Sequence, residues 1–229
     1  SSKTESYIVS FFGRANYSYD NRYMFTATVR RDGSSKFQGK NRWGLFPSVA
    51  FGWNVANEEF LKDNGVLTTL KLRLSWGQTG NQAVVGNYDS QATYYKNMLG
   101  SYYMFGGQVY NPITAIGYNA DLRWETATTW NAGIDFGFLK DRITMGVDVY
   151  KREISDLINH IPVAALGNLT NYLNTNIGNL ESKGFEYEIN AMAIDTRDWT
   201  WSIGANVAYN DAKFTKLTAS PNDKTGVET

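Results

Sequence analysis

The stretch GLFPSVAFGWNVANEEF, residues 44–60, decides the fold of this chain. Its odd-numbered positions carry large apolar residues, which are Leu45, Pro47, Val49, Phe51, Trp53 and Val55. Its even-numbered positions are mostly small or polar, and they are Phe46, Ser48, Ala50, Gly52, Asn54 and Ala56. Because successive side chains of a strand point to opposite faces, the stretch predicts a strand with one apolar face. In a soluble protein a second layer would have to cover that face.

The same alternation recurs in seven further segments, which begin near Tyr7, Tyr23, Leu70, Trp130, Ile143, Phe185 and Trp199. Short connections (residues 20–21, 57–68, 140–141 and 195–198) alternate along the chain with long ones (residues 32–41, 80–122 and 153–180). A transmembrane β-barrel has this alternation because its short turns lie on one side of the membrane and its long loops on the other. Each segment also supplies the roughly 9–11 residues that a tilted membrane strand needs. We therefore predict an all-β, antiparallel transmembrane β-barrel segment with short periplasmic turns and long extracellular loops.

In such a barrel the apolar positions face lipid and the mixed polar positions face the lumen. We expect Leu45, Val49, Phe51 and Val55 to contact the bilayer. Pro47 lacks a backbone donor and is expected to mark a bulge or a locally broken ladder. The strand charges that fall on the lumen side are Arg14, Arg30, Arg73, Asp135, Asp148, Glu186 and Glu188.

The inventory of reactive residues argues against an enzyme. The 229 residues carry 22 Lys or Arg and 22 Asp or Glu, so no basic surface for nucleic acid is expected. There is no Cys and His160 is the single His, which excludes a Cys–His pair and a thiolate metal site. No GxSxG nucleophile motif occurs, and GQTGNQ at residues 77–82 lacks the Lys of a phosphate-binding loop. We predict no catalytic residues, no metal and no cofactor.

Five stretches resemble SusC-like (RagA-type) TonB-dependent outer-membrane transporters. They are RRDGSSKF (residues 30–37), FPSVAFGWNVANEEF (46–60), LKLRLSWGQTGNQ (70–82), RWETATTWNAGIDFGFLKDRITMGVDVYKREISDLI (123–158) and NIGNLESKGFEYEI (176–189). The resemblance implies a 22-stranded barrel in the bacterial outer membrane with a plug domain inside it. It also implies a SusD-like surface lipoprotein as a lid and a TonB complex that supplies energy. Residues 1–229 are then about eight strands of the barrel domain, and the plug domain and C-terminal strands are expected outside this chain.

The resemblance implies active, non-catalytic import of a nutrient, an oligosaccharide or a peptide, by a protein in contact with outer-membrane lipid. Glu186 and Glu188 lie about 7 Å apart on one strand face. That placement suits lumen charges that pair with plug arginines better than a pair of hydrolase carboxylates. The other lumen charges, Arg14, Arg30, Arg73, Asp135 and Asp148, are likewise expected to contact the plug. The alternative function is a soluble or adhesive β-sheet module that binds carbohydrate, which would bury Phe51 and Trp53.

Two loop segments supply candidate ligand-binding residues. Residues 86–112 are rich in aromatic rings, which can stack on sugars, and the candidates there are Tyr94, Tyr95, Tyr102 and Tyr103. The same rings could instead pack the loop against itself or contact the lid. The segment ALGNLTNYLNTN, residues 165–176, offers the side-chain amides of Asn168 and Asn171, although loop polarity alone explains them equally well.

Overall fold

A computed structural model describes residues 3–61, 64–96, 102–163 and 170–217, and most of them lie in antiparallel strands. Eight long strands form one sheet: β1 (Ile8–Tyr19), β2 (Tyr23–Ser34), β3 (Trp43–Asn54), β4 (Leu67–Asn81), β9 (Glu125–Phe138), β10 (Ile143–Ser155), β13 (Asn179–Asp195) and β14 (Thr200–Lys216). Six short strands form hairpins in the loops: β5 (Thr93–Lys96), β6 (Tyr103–Phe105), β7 (Gln108–Tyr110), β8 (Ile113–Ile116), β11 (Ile158–Pro162) and β12 (Tyr172–Asn176). Two 3-10 turns cover Gly39–Arg42 and Val55–Asn57. In the described ranges no helix has the length and apolar character needed to cross a membrane.

The large sheet has the order β1-β2-β3-β4-β9-β10-β13-β14, so the long strands pair in sequence order. Its register aligns the apolar positions into continuous rows across neighbouring strands. One row contains Tyr17, Phe25, Phe51, Leu74, Ala132, Val149, Phe185 and Tyr209. Phe51 and Leu74 are 38% and 55% exposed, so nothing else in the described part of the chain covers this face. The predicted all-β antiparallel fold is confirmed.

The connections sort onto the two ends of the sheet. The described parts of the short ones (residues 20–22, 55–61, 64–66, 139–142 and 196–199) lie at one end, and those of the long ones (35–42, 82–96, 102–124, 156–163 and 170–178) lie at the other. In the turn between β1 and β2, Asp20 and Asn21 have φ of 51° and 50°, a conformation that short polar side chains tolerate. The predicted alternation of turns and loops is therefore present, although the six short loop strands had no recognisable signal in the sequence.

One expectation for the opening stretch is confirmed and one is wrong. Pro47 pairs in register with Val29 and causes no bulge between β2 and β3. The ladder between β3 and β4, however, ends at the pair of Ser48 with Gly77 although both strands continue, so it is broken at Pro47, the residue that lacks a backbone donor. Val55 does not face lipid, because the chain leaves the strand at Asn54 and turns, which leaves Val55 only 7% exposed.

The buried core lies at the long-loop end of the sheet rather than between two layers. Its members are Phe37, Phe46, Val85, Leu122, Trp124 and Ile158. Phe46 belongs to the face of β3 that is otherwise small and polar, and its ring lies over Gly44 and Gly80. A Cβ at either glycine would overlap that ring, so both positions require glycine. This core holds the long loops against the sheet.

At the short-turn end, Glu58 ties the connection after β3 to the neighbouring strands. Its side chain is 12% exposed, and its carboxylate accepts hydrogen bonds from the Tyr23 hydroxyl at 2.7 Å and the Trp53 indole at 3.0 Å. Arg22 Nη1 donates to the same carboxylate at 3.1 Å. The hydrogen bonds from Tyr23 and Trp53, with a smaller contribution from Arg22, hold the pKa of Glu58 below its usual range.

We expect this carboxylate to make stability acid-sensitive. Because the pKa of Glu58 is lower in the folded than in the unfolded chain, its contribution is complete above about pH 4.5 and is lost as the pH falls through the lowered pKa. Glu58→Gln cannot titrate, so its melting temperature should decline less than that of the wild type over the same acid range. Melting curves of the detergent-solubilised protein from neutral to acid pH would test this, and parallel declines for the two proteins would contradict it.

Candidate functional site

The inner face of the sheet carries a compact group of charges on three adjacent strands. Arg73 on β4 donates to both oxygens of Asp135 on β9, with distances of 2.8 Å from Nε and 2.7 Å from Nη2. It also donates to Asp148 on β10, at 3.0 Å from Nη1 and 2.8 Å from Nη2. Gly133 lies between these side chains, and a Cβ there would overlap Arg73 and Asp148. The guanidinium fork therefore connects the three strands with charge-assisted hydrogen bonds.

The other charges selected from the sequence are less fully paired. In the register, Glu186 lies opposite Asp148 and Glu188 lies opposite Gly146, and neither carboxylate makes an ion pair within residues 3–61, 64–96, 102–163 and 170–217. Arg30 Nε lies 2.8 Å from the buried Asp32. Arg14 Nε donates to the Thr28 hydroxyl at 3.1 Å. The inner face thus combines neutralised charges with exposed ones that remain available for a partner.

A second group of charges lies on the outer face near the long-loop end, and sequence reasoning missed it. Lys151 Nζ lies 2.7 Å from Glu153 and 3.1 Å from Glu181, and Lys213 lies 3.7 Å from Glu181. These positions continue the apolar face, since Lys151 pairs in register with Trp130. The long strands have 12 to 17 residues, more than a membrane crossing needs, so their ends can carry charge outside the apolar band.

The three long loops fold together at their bases, and we call residues 35–42, 82–96, 102–124, 156–163 and 170–178 the loop cluster. Lys36 Nζ donates to the Val85 carbonyl at 2.6 Å, and the Ser90 hydroxyl donates to the Lys36 carbonyl at 2.7 Å. Trp124 Nε1 donates to the Arg42 carbonyl at 3.2 Å. These bonds join the β2–β3 connection to the β4–β9 connection above the buried rings.

Asn174 joins the two longest connections. Its amide nitrogen donates to Asp89 at 2.5 Å, and its amide oxygen lies 3.0 Å from His160 Nδ1. Asn119 donates to the Asn174 carbonyl at 3.1 Å. The His160 ring stacks on Tyr172 with a centroid distance of 5.2 Å, which gives this single histidine a structural role in the loop. Nothing in the sequence distinguishes Asn174 from the neighbouring asparagines, because its partners lie far away along the chain.

The loop residues selected from the sequence lie outside this buried base. Tyr94 and Tyr95 are on β5 and exposed, and Tyr102 is exposed just before β6. Tyr103 stacks on Tyr110 across the β6–β7 hairpin at 5.2 Å and remains exposed. Asn171 is also exposed, and its backbone carbonyl accepts a hydrogen bond from the Val163 amide at 2.9 Å; Asn168 lies outside the described residues. The tyrosines are therefore available to a ligand or a partner and contribute little to the core.

Residues 1–228 match the family model described as "TonB dependent receptor-like, beta-barrel". The chain belongs to this TonB-dependent receptor family. It is 46% identical to the TonB-dependent receptor SusC of Bacteroides thetaiotaomicron over 98% of the chain and 22% of SusC. It is 38% identical to the TonB-dependent receptor P3 of Formosa agariphila over 93% of the chain and 21% of P3. The chain thus spans about a fifth of the length of these curated relatives.

Solved structures agree with the family assignment. The RagAB peptide transporter superposes with a TM-score of 0.81 at 29% identity, over 95% of the chain and 24% of the transporter chain. The siderophore receptor PirA of Pseudomonas aeruginosa has a TM-score of 0.59 at 15% identity, over 92% of the chain and 35% of PirA, and shows a shared fold alone. These similarities confirm the SusC-like resemblance and place this TonB-dependent receptor chain in the bacterial outer membrane. The family is one of receptors and transporters rather than of enzymes.

Proposed function

We propose that this chain forms part of the barrel wall of a TonB-dependent importer that takes up an oligosaccharide or a peptide across the outer membrane. The observation that carries the proposal is the division of one sheet into an apolar outer face and a charged inner face. A soluble carbohydrate-binding module is disfavoured, because it would leave rings such as Phe51 and Phe185 in water. A bilayer solvates the same rings without a second protein layer.

We further propose that a plug domain, supplied by another part of the receptor, rests against the inner wall. The exposed carboxylates of Glu186 and Glu188 suit cationic plug side chains, and the group formed by Arg73, Asp135 and Asp148 offers hydrogen-bonding oxygens. Polar contacts in a hydrated lumen are individually weak. A plug held in this way can be displaced when TonB applies force, whereas an apolar interface would resist it.

The loop cluster is proposed as the surface that meets a SusD-like lipoprotein lid. Its base is fixed by buried rings and hydrogen bonds, and its tips expose Tyr94, Tyr95, Tyr102 and Tyr103. Exposed aromatic residues on a rigid base are typical anchors of protein interfaces, and they also stack on sugars. The same hairpins can therefore contact both a lid and a ligand.

Growth experiments test the importer. A strain that lacks the full-length receptor is expected to lose growth on one oligosaccharide or on a peptide mixture as the carbon source. A plasmid copy of the receptor should restore growth only where TonB is present. Growth on glucose provides the control, because it should be the same in all strains. Unchanged growth of the deletion strain on every glycan and peptide in a broad panel would count against import.

A further inference from the structure

A cavity of about 740 Å³ lies on the inner face of the sheet, formed by strands β1 to β4 and β9. Its centre is the row of paired residues that contains Thr28, Ser48, Gly77 and Thr129. This row lies four residues closer to the long loops than the row of Arg73, which corresponds to about 13 Å along the strands. Phe46 borders the cavity at the loop end, so the cavity lies directly below the loop cluster and apart from the ion pairs of Arg73.

The cavity contains polar side chains that have no hydrogen-bond partner among the described residues. The hydroxyls of Ser48, Ser75 and Thr129 all border it, and none of them makes a hydrogen bond within the described part of the chain. A hydroxyl both donates and accepts, so three of them on adjacent strands can bind a ligand that is itself rich in hydroxyls. In the row of Ser48, Gly77 and Thr129 the backbones of β3, β4 and β9 pair with one another, so the side chains are the main binding groups there. Between this row and the long loops, β3 and β4 no longer pair.

The charge in the cavity is unbalanced. Two guanidinium groups and one carboxylate border it, those of Arg14, Arg30 and Asp32. Asp32 neutralises Arg30, whose Nε lies 2.8 Å from both carboxylate oxygens. Among the described residues Arg14 makes one side-chain hydrogen bond, from Nε to Thr28, so its two terminal nitrogens have no partner there and can bind a planar anion.

We propose that this cavity binds an anionic oligosaccharide, with Arg14 holding an acidic group and the hydroxyls of Ser48, Ser75 and Thr129 binding the sugar hydroxyls. This assignment rests on the proposed importer function and names its substrate class. The threonine methyl groups offer apolar surface to the C–H faces of a sugar ring.

Calorimetric titration of the purified full-length receptor in detergent tests the assignment. The probes are an oligogalacturonide, a neutral malto-oligosaccharide of equal length and a tryptic peptide mixture. The wild type should bind the oligogalacturonide most tightly, and Arg14→Gln should reduce its preference over the neutral sugar about tenfold, because a bidentate charge-assisted pair is lost. Arg14→Lys keeps the positive charge but lacks the planar guanidinium group, so it should retain part of the preference for the charged over the neutral sugar.

Arg31→Gln is the matched control, because it removes the same charge from the opposite face of the sheet, on the neighbouring strand β2, where the Arg31 guanidinium lies 5.0 Å from the Trp43 ring centroid. It should bind all probes as the wild type does. The assignment is overturned by a wild type that does not favour the charged sugar, by tighter binding of peptides, or by an Arg14→Gln variant that keeps the preference. If uptake still depends on the receptor and on TonB in those cases, only the substrate assignment fails and the importer function stands.

Discussion

Replacing Phe37 by alanine is expected to destabilise the loop cluster by about 3–5 kcal/mol. The Phe37 side chain is fully buried, and its ring lies 5.2 Å from the Trp124 ring in the core at the base of the loops. Alanine would leave a cavity that the paired strands beneath cannot fill by moving. The expected result is faster hydrogen exchange of backbone amides in residues 82–96 and 102–124, measured by mass spectrometry on the full-length receptor.

Phe105→Ala is the matched control for this prediction. It makes the same chemical change on the β6–β7 hairpin, where the Phe105 side chain is 74% exposed and contributes little to packing. Its exchange rates at the loop bases should equal those of the wild type. Similar exchange in Phe37→Ala and the wild type would show that the loops are held by their hydrogen bonds rather than by the buried rings.

Replacing Leu74 by arginine should destabilise the barrel by about 2–4 kcal/mol, the cost of an arginine near the bilayer midplane. Leu74 is near the middle of β4, lies between Phe51 and Ala132 in the register, and is 55% exposed on the outer face. The measurement is the temperature at which the barrel loses its compact form in detergent, read from heat-dependent gel mobility, together with receptor yield in the outer membrane.

Ser75→Arg tests the opposite face one residue away. Ser75 points into the lumen, where water solvates the added charge, so its effect on barrel stability should be much smaller. The pair of variants measures the orientation of the sheet directly. If both arginines cost the same, or if Ser75→Arg costs more, the assignment of inner and outer faces is wrong.

The sequence predicted the architecture well because strand geometry is local. In β4, Leu72 and Leu74 alternate with Arg73 and Ser75. The face on which a side chain lies depends only on whether its position along the strand is odd or even. Turn positions are local as well, since Asp20 and Asn21 tolerate positive φ. Faces, turn positions and the resemblance to SusC-like transporters therefore followed from residues that are neighbours in the chain.

Residues near strand ends were predicted less well, because side chains stop alternating between the two faces of the sheet where the chain turns. Val55 was expected to face lipid and is buried instead. Lys151 lies on the same face of β10 as its apolar residues and yet forms ion pairs with Glu153 and Glu181. The amphipathic pattern does not indicate where the apolar band of the membrane ends, because strands longer than the bilayer continue the same alternation beyond it.

The sequence by itself determined that Arg73, Asp135 and Asp148 share one face. Only the tertiary structure decided that they meet, because their contact depends on the register of three strands. The same holds for Phe46, whose burial requires Trp124 and the glycines beneath its ring, and for Asn174, whose partner Asp89 belongs to another loop. Alternation is set by the covalent chain one residue at a time, whereas a pairing between distant segments exists only once the strands have aligned.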